Sequence, residues 1–248
     1  MLAGNWKMNK TNEQAKFFVN KLVQDLAGMN FKIVLCPPFV CLSNITEILK
    51  GSNLHIGAQN CYYENFGAFT GEISPVMLKE LNIEYVIVGH SERRHIFGET
   101  DEMINKKIKA VLSNGMKPII CIGETKEERE KGLTFCVVES QLRQALFGLN
   151  EDDVRKIVIA YEPVWAIGTG IVAKPHQAQQ VHMFIRKLLE QLYGQEFAQQ
   201  IPILYGGSIK PDNFLGLMVQ PDIDGGLVGG ASLDDQFVEL AKIASWLV

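Results

Sequence analysis

No apolar run in this 248-residue chain approaches the roughly 18 residues that a bilayer span requires, which argues against a transmembrane helix. The first residues, Met1-Leu2-Ala3-Gly4-Asn5-Trp6-Lys7, lack the apolar segment of a secretory signal. Basic excess is also missing. With 24 Lys and Arg against 28 Asp and Glu, the formal charge is −4 and the sequence pI about 5.8. A nucleic-acid backbone or an anionic membrane therefore finds no basic field to engage. A small anionic substrate needs only a few local donors and stays open. Cysteine is sparse: Cys36, Cys41, Cys61, Cys121 and Cys136 make an odd number, with no C-x-x-C pair. That spacing suggests neither a zinc site nor a disulfide framework, and reduced thiols fit a cytoplasmic protein. No Ser/Pro-rich linker, low-complexity tract or charge block divides the chain.

What is present is an ordinary globular composition, 47% hydrophobic and 21% charged. A chain of this size buries roughly 70–75% of its unfolded surface, so its core does not depend on disulfides or metals. Eight short apolar runs recur, at residues 2–6, 31–36, 54–58, 84–88, 117–122, 157–161, 201–205 and 225–228. Most are apolar throughout, as parallel strands covered on both faces are. Amphipathic segments alternate with them. Residues 11–26 place Ala15, Phe18, Val19, Leu22, Val23 and Leu26 at three- and four-residue steps, and 174–193 and 232–246 repeat the pattern. Alternating β and α signals mean a parallel sheet. Eight units without a linker fit an α/β fold, a single (β/α)8 barrel domain over residues 1–248 with a closed eight-stranded parallel sheet. The competitor, an open doubly wound sheet, usually shows G-x-G-x-x-G after its first strand. Here that strand runs into Asn5-Trp6-Lys7-Met8-Asn9 instead.

In such a barrel the chemistry belongs at the C-terminal strand ends. Glu162 ends the sixth run and is followed by Pro163-Val164-Trp165-Ala166-Ile167-Gly168-Thr169-Gly170. Three large apolar groups and two glycines suit a lid. A carboxylate shut away from water under a lid has its pKa raised and becomes a stronger base; a strand-end Glu alone is more often structural, and the adjacent lid reverses that. His90 ends the fourth run. Ser91 is a reasonable N-cap for a helix whose positive end would face His90 and disfavour imidazolium. Without that position, a core histidine satisfied by its neighbours is the ordinary reading. Lys7 is either a surface lysine or an oxyanion stabiliser, and spacing does not separate the two. Gly206-Gly207-Ser208 and Gly229-Gly230 sit after the seventh and eighth runs, where barrels of this kind bind phosphate through backbone N–H groups. The stretch from 59 to about 71 is long for a βα loop and carries Tyr62, Tyr63, Phe66 and Phe69. It suits either a protein partner or packing on the chain's own rim. The cysteines are expected to be small buried residues rather than nucleophiles. The charge run 126–131 reads as a solvated helix face.

Taken together, Asn5-Trp6-Lys7-Met8-Asn9, Gly89-His90-Ser91-Glu92-Arg93-Arg94, Cys121-Ile122-Gly123-Glu124, Tyr161-Glu162-Pro163-Val164-Trp165-Ala166-Ile167-Gly168-Thr169-Gly170, Tyr205-Gly206-Gly207-Ser208 and Leu227-Val228-Gly229-Gly230-Ala231-Ser232 closely resemble the triosephosphate isomerase family, from one end of the chain to the other. The resemblance implies interconversion of dihydroxyacetone phosphate and glyceraldehyde 3-phosphate through an enediolate. It implies Glu162 as the base, His90 as the neutral electrophile and Lys7 as the countercharge. Asn5 would orient the substrate oxygens and Glu92 would pair with Lys7. Backbone N–H groups of Gly168, Ser208, Gly229 and Gly230 would hold the phosphate, with Pro163 to Thr169 as lid and Ile167 and Leu227 closing over Glu162. No metal or cofactor is implied. A homodimer is, with Gln59 and Asn60 at the base of a docking loop and Thr70 and Glu72 at its tip. Two departures stand out. Only Met1 and Leu2 precede Ala3, so the first strand is expected to be clipped. Ile171 follows the lid where the family more often has a polar or basic residue. The remaining alternatives are a different phosphate-binding barrel isomerase, which would lack the Glu162 lid motif, and a catalytically silent phosphate-binding barrel, which should have lost Glu162, His90 or Lys7.

Overall fold

Residues 1–167 and 173–247 are described by a computed structural model. Eight parallel strands form a closed barrel in sequence order: β1 (Leu2–Asn5), β2 (Ile33–Cys36), β3 (Leu54–Ala58), β4 (Tyr85–Val88), β5 (Lys117–Ile122), β6 (Val158–Tyr161), β7 (Ile203–Tyr205) and β8 (Gly225–Val228). All eight coincide with the apolar runs of the sequence to within two residues. Closure is made by β1, whose Leu2 to Gly4 pair with Gly226 to Val228 of β8 while Leu2 to Asn5 pair with β2. The first strand is thus paired on both sides from Leu2 onward.

Side chains alternate across each strand, and the alternation sorts them into two cores. One row points to the barrel axis and includes Ala3, Val34, Tyr85, Ile119, Val158 and Leu204. The other row, with Ile33, Val86, Ile120, Ile159 and Ile203, packs outward on the helices. Both rows are out of water, which is why the runs read as apolar throughout rather than alternating.

The helix Asn12–Asp25 starts where expected because Thr11 caps it, its hydroxyl accepting from the Gln14 amide while Gln14 reaches back. The helix Pro175–Tyr193 buries Ala178, Val181, Ile185 and Leu188 on one face. The last amphipathic segment begins later than its periodicity suggests, as the helix Gln236–Ser245. Gly230–Ser232 instead forms a 3-10 turn, fastened by a 2.7 Å bond from Ser232 Oγ to Gly229 O. The charge run does form a short helix, Lys126–Glu130, with no buried residue. Among the described residues no helix is long and apolar enough to cross a membrane.

Candidate active site

Continuing the strand alternation past the strand ends places the site. In β6, Val158 and Ala160 point to the axis, so Glu162 continues that row into the mouth of the barrel. In β1, Ala3 points inward and Asn5 follows it. At the end of β4 the row is interrupted by Gly89, whose φ of +70° is open to glycine but strained for a side chain. The turn it makes brings His90 into the mouth. Lys7 also has a positive φ, 53°, a conformation a non-glycine residue adopts at a cost. Its amide is held by Asn5 Oδ1 at 3.1 Å.

Asn5, Lys7, His90, Glu162, Ile167, Ser208, Leu227, Gly229 and Gly230 line one cavity of about 410 Å³. Lys7 Nζ donates to Glu92 Oε1 at 2.6 Å, so Glu92 acts on the cavity through Lys7. His90 and Glu162 are 5% and 2% exposed, and His90 Nε2 lies 3.0 Å from Glu162 Oε1. The other Glu162 oxygen accepts from the Ser91 amide at 2.9 Å. His90 Nδ1 accepts from the Glu92 amide at 3.2 Å, so His90 itself caps the helix Ser91–His95 and Ser91 is its first residue, not its cap as expected. An accepting Nδ1 leaves the proton of a neutral ring on Nε2, facing Glu162.

The charges of this pair differ from the sequence-based expectation. Burial is the largest influence on Glu162 and pushes its pKa up, but His90, the Ser91 amide and Lys7 together hold it below the usual carboxylate range. Burial likewise presses His90 down, and the Glu162 carboxylate outweighs it to leave the imidazole above its ordinary value. A carboxylate raised by water exclusion and an imidazole kept neutral by a helix end were expected. In the described arrangement the two groups contact each other, and mutual attraction decides both directions.

Glycines make the contact possible. A Cβ at Gly206 would stand 2.9 Å from Glu162 Cγ, and one at Gly123 would stand 1.8 Å from Glu162 O. The Gly206-Gly207 turn, read from sequence as part of a phosphate site, therefore also makes room for the carboxylate. Asn9, Lys210 and Gln236 line the cavity too and were missed. The Gly206-Gly207-Ser208 turn two residues before Lys210 was the available signal for that cation.

The start of the expected lid, Pro163 to Ile167, contains a 3-10 turn, Val164–Ala166. Gly168, Thr169, Gly170 and Ile171, the other residues named for or beside the lid, lie outside the described residues. Beneath the turn, Glu124 is fully buried and accepts from Tyr161 Oη at 3.0 Å, Trp165 Nε1 at 2.9 Å and Arg129 at 3.1 Å.

The long loop has a divided character. Gln59 Nε2 donates to Lys7 O and Cys36 O, both at 2.9 Å, and Asn60 is 5% exposed and accepts from Lys107 Nζ. Lys107 and Arg93 both donate to Glu99, a network the sequence reading missed. Tyr62 stacks on Tyr63 at 4.2 Å and lies 4.5 Å from Phe69, whereas Phe66 stays 78% exposed. Thr70 and Glu72 are exposed at the tip. Four cysteines are buried, but Cys136 is exposed, unlike the expectation. Burial pushes the Cys36 thiol up to about 12, which makes it a poor nucleophile. Among the described residues no cluster of His, Cys, Asp or Glu could hold a metal ion.

A family model described as triosephosphate isomerase matches residues 1–244. A protein named triosephosphate isomerase from Caldanaerobacter subterraneus subsp. tengcongensis is 51% identical, covering 99% of this chain and 98% of its own. Those from Carboxydothermus hydrogenoformans and Endomicrobium trichonymphae are 52% and 53% identical, covering 97% and 98% of this chain and 97% of each relative.

Proposed function

The chain belongs to the triosephosphate isomerase family, and from that premise we propose how its cavity interconverts dihydroxyacetone phosphate and glyceraldehyde 3-phosphate through an enediolate. The observation that carries the reading is the buried His90–Glu162 contact at 3.0 Å on the wall of a cavity that also holds Lys7 and the Ser208, Gly229 and Gly230 turns.

Glu162 removes a proton from the carbon beside the substrate carbonyl and returns it to the neighbouring carbon. Before that it must exchange its partners for substrate, since a carboxylate bonded to His90 and the Ser91 amide is a weak base. Entry of the substrate and exclusion of water strip those bonds away and raise its basicity. His90 donates from Nε2 to the developing oxyanion and moves a proton between the two substrate oxygens. The Glu92 amide at Nδ1 supports the tautomer this needs. Lys7 offsets the charge of the enediolate and phosphate, aligned by Glu92, and Asn5 orients the oxygens beside it. The phosphate sits on the backbone N–H groups of Gly168, Ser208, Gly229 and Gly230, with Lys210 near. Pro163 to Thr169 form the lid, and Ile167 and Leu227 close over Glu162. The substrate carries its own carbonyl, so the chemistry calls for no metal or cofactor.

The barrel works as one domain, in the cytoplasm, in glycolysis and gluconeogenesis. It acts as a homodimer through the 59–72 loop. Exposed Phe66, Thr70 and Glu72 support the docking tip, while Gln59 and Asn60, bonded inward, support the loop from below. Sedimentation is expected to give a dimer, and a fully active monomer would remove that part of the reading. The test of function is a coupled assay from glyceraldehyde 3-phosphate on wild type and Glu162→Asp. Rapid wild-type turnover with a large loss in the variant is expected; a folded, inactive wild type would favour the silent phosphate-binding barrel.

A further inference from the structure

The end of the barrel opposite the mouth carries a cavity of about 390 Å³ that the mechanism does not use. It lies at the N-terminal ends of the strands. Lys32 precedes β2, Lys117 opens β5, and Arg155 and Lys156 lead into β6; all four line the cavity and all four are exposed. Among the described residues none of the four forms a salt bridge. The carboxylate on the same wall, Asp224, is already engaged from behind, its Oδ2 accepting from Arg186 Nη2 at 2.6 Å and from the Ile203 amide at 2.7 Å. Glu84, just before β4, is held by His55, whose Nδ1 lies 2.9 Å from its Oε2.

This floor inverts the charge of the chain. The protein as a whole carries −4, yet four cations gather here around one acid that is paired elsewhere. Like charges facing one recess repel each other, and the field they focus there draws an anion in. The cations are also held ready. Arg155 Nη1 donates to Gln200 Oε1 at 2.9 Å, and its guanidinium carbon lies 4.1 Å from the Phe197 ring centre, which leaves the rest of its planar fork for a ligand. Lys117 Nζ lies 5.5 Å from the ring centre of Tyr85. Tyr85 lines the same floor, and burial pushes its hydroxyl pKa up to about 12, so it stays protonated and able to donate. β2 and β6 stand opposite each other in the closed ring, so Lys32 is rooted across the axis from Arg155 and Lys156. One phosphate group held by Arg155 leaves Lys32 on the far wall unanswered, whereas a linear chain of phosphates answers both.

We propose that the floor of the barrel is a polyphosphate-binding site: a linear di- or triphosphate bridges Lys32 on one wall and Lys117, Arg155 and Lys156 on the other, with Arg155 making the bidentate contact. The shared chemistry is the phosphate chain, which comes either as inorganic polyphosphate or as the tail of a nucleotide. The site is distinct from the mouth, since the two cavities share no lining residue. No bond is made or broken there. The bound anion stabilises the folded chain by mass action and leaves the reacting groups where they are. The inference does not depend on the isomerase reading above.

The probe is inorganic tripolyphosphate, titrated into the full chain by calorimetry with excess glycerol 3-phosphate present to fill the mouth. Tripolyphosphate is expected to bind with a Kd below about 1 mM and to raise Tm. Inorganic phosphate should bind at least about tenfold more weakly, because it meets one wall only. Lys32→Gln/Lys156→Gln removes a cation from each wall. It is expected to weaken tripolyphosphate binding at least about tenfold and to lose the Tm gain, while melting no lower than wild type without ligand, since unanswered like charges are relieved. Lys16→Gln/Lys126→Gln changes the net charge equally and should bind as wild type does. ATP in place of tripolyphosphate separates the sources: tighter binding assigns the site to nucleotides, equal or weaker binding to the inorganic chain. Equal weakening in the two double variants would overturn the proposal, because net charge alone would then explain the binding. Binding abolished by glycerol 3-phosphate, or inorganic phosphate binding as tightly as tripolyphosphate, would overturn it too. If Lys32→Gln/Lys156→Gln does not fold, Arg155→Lys decides. That change keeps every charge and gives up only the fork, so an unchanged Kd there would count against the site and a loss of about fivefold would support it.

Discussion

Two carboxylates follow neighbouring strands, Glu124 after β5 and Glu162 after β6. Both are almost wholly buried, at 0% and 2% exposed. They differ in which row of the barrel they extend. Glu124 continues the outward row of Ile120 and Ile122 and meets Tyr161, Trp165 and Arg129. Glu162 continues the inward row of Val158 and Ala160 and meets His90, the Ser91 amide and open cavity. The Glu124 oxygens are taken up by fixed donors of the protein, whereas Glu162 faces a cavity from which a substrate can displace its partners. Burial alone therefore does not mark a base; the partners and the open side do.

The largest expected break in this comparison is at Glu162 itself. Glu162→Asp pulls the carboxylate back by a methylene and is expected to lower kcat by about 100-fold or more with an unchanged melting temperature. The matching change, Glu124→Gln, should do the reverse. It weakens charge-assisted bonds worth about 1–3 kcal/mol, a fall in Tm of roughly 2–10 °C, while kcat drops less than about tenfold. A loss of kcat in Glu124→Gln as deep as in Glu162→Asp would end the distinction.

Gly206→Ala sharpens the comparison without touching either carboxylate. Its Cβ would stand 2.9 Å from Glu162 Cγ, and no atom of Glu124 is among its nearest neighbours. About a tenfold loss of kcat is expected, with little change in KM. Normal kcat would mean that Glu162 moves aside freely.

The smallest effects are in pH dependence. Glu162 sits below its ordinary 4.5 when folded, so the stability it contributes is present above pH 4.5 and is lost as pH falls through its folded pKa. His90 is raised above 6.5, so its contribution is full below pH 6.5 and is lost as pH rises through its folded pKa. His182, buried in the helix Pro175–Tyr193, runs the other way from His90. Between pH 6.5 and about 3 the unfolded chain takes up a proton there and the folded chain does not, so acid destabilises the fold. Urea unfolding at pH 5, 6 and 7 should show His182→Phe losing less stability per unit of acidification than wild type. The difference should approach the slope of one proton, about 1.4 kcal/mol per pH unit, toward the acid end. Equal slopes would mean that His182 is reached by water.

Much of this was legible in the chain. Short runs apolar on both faces, alternating with helical periodicity, specify a parallel barrel because each strand must be covered twice. The same alternation, extended two residues past the end of β5 and one past the end of β6, assigns Glu124 to the outside and Glu162 to the mouth. Glycine pairs after β7 and β8 mark the turns at which phosphate is proposed to bind. Those signals are local, and a linear pattern carries them. What only the tertiary structure decided is who meets whom once the sheet closes. Glu162 lies 71 residues from the amide it accepts from, and Lys7 lies 85 residues from Glu92. Periodicity gives the face of a residue but not its partner across the barrel, and electrostatic shifts depend on the partner. That is why the directions for Glu162 and His90 departed from expectation. It is also why Gly206 proved to make room for a carboxylate, and why His182, one more apolar-face residue in a helical pattern, stood out only when two tyrosines from β6 and β7 closed around it.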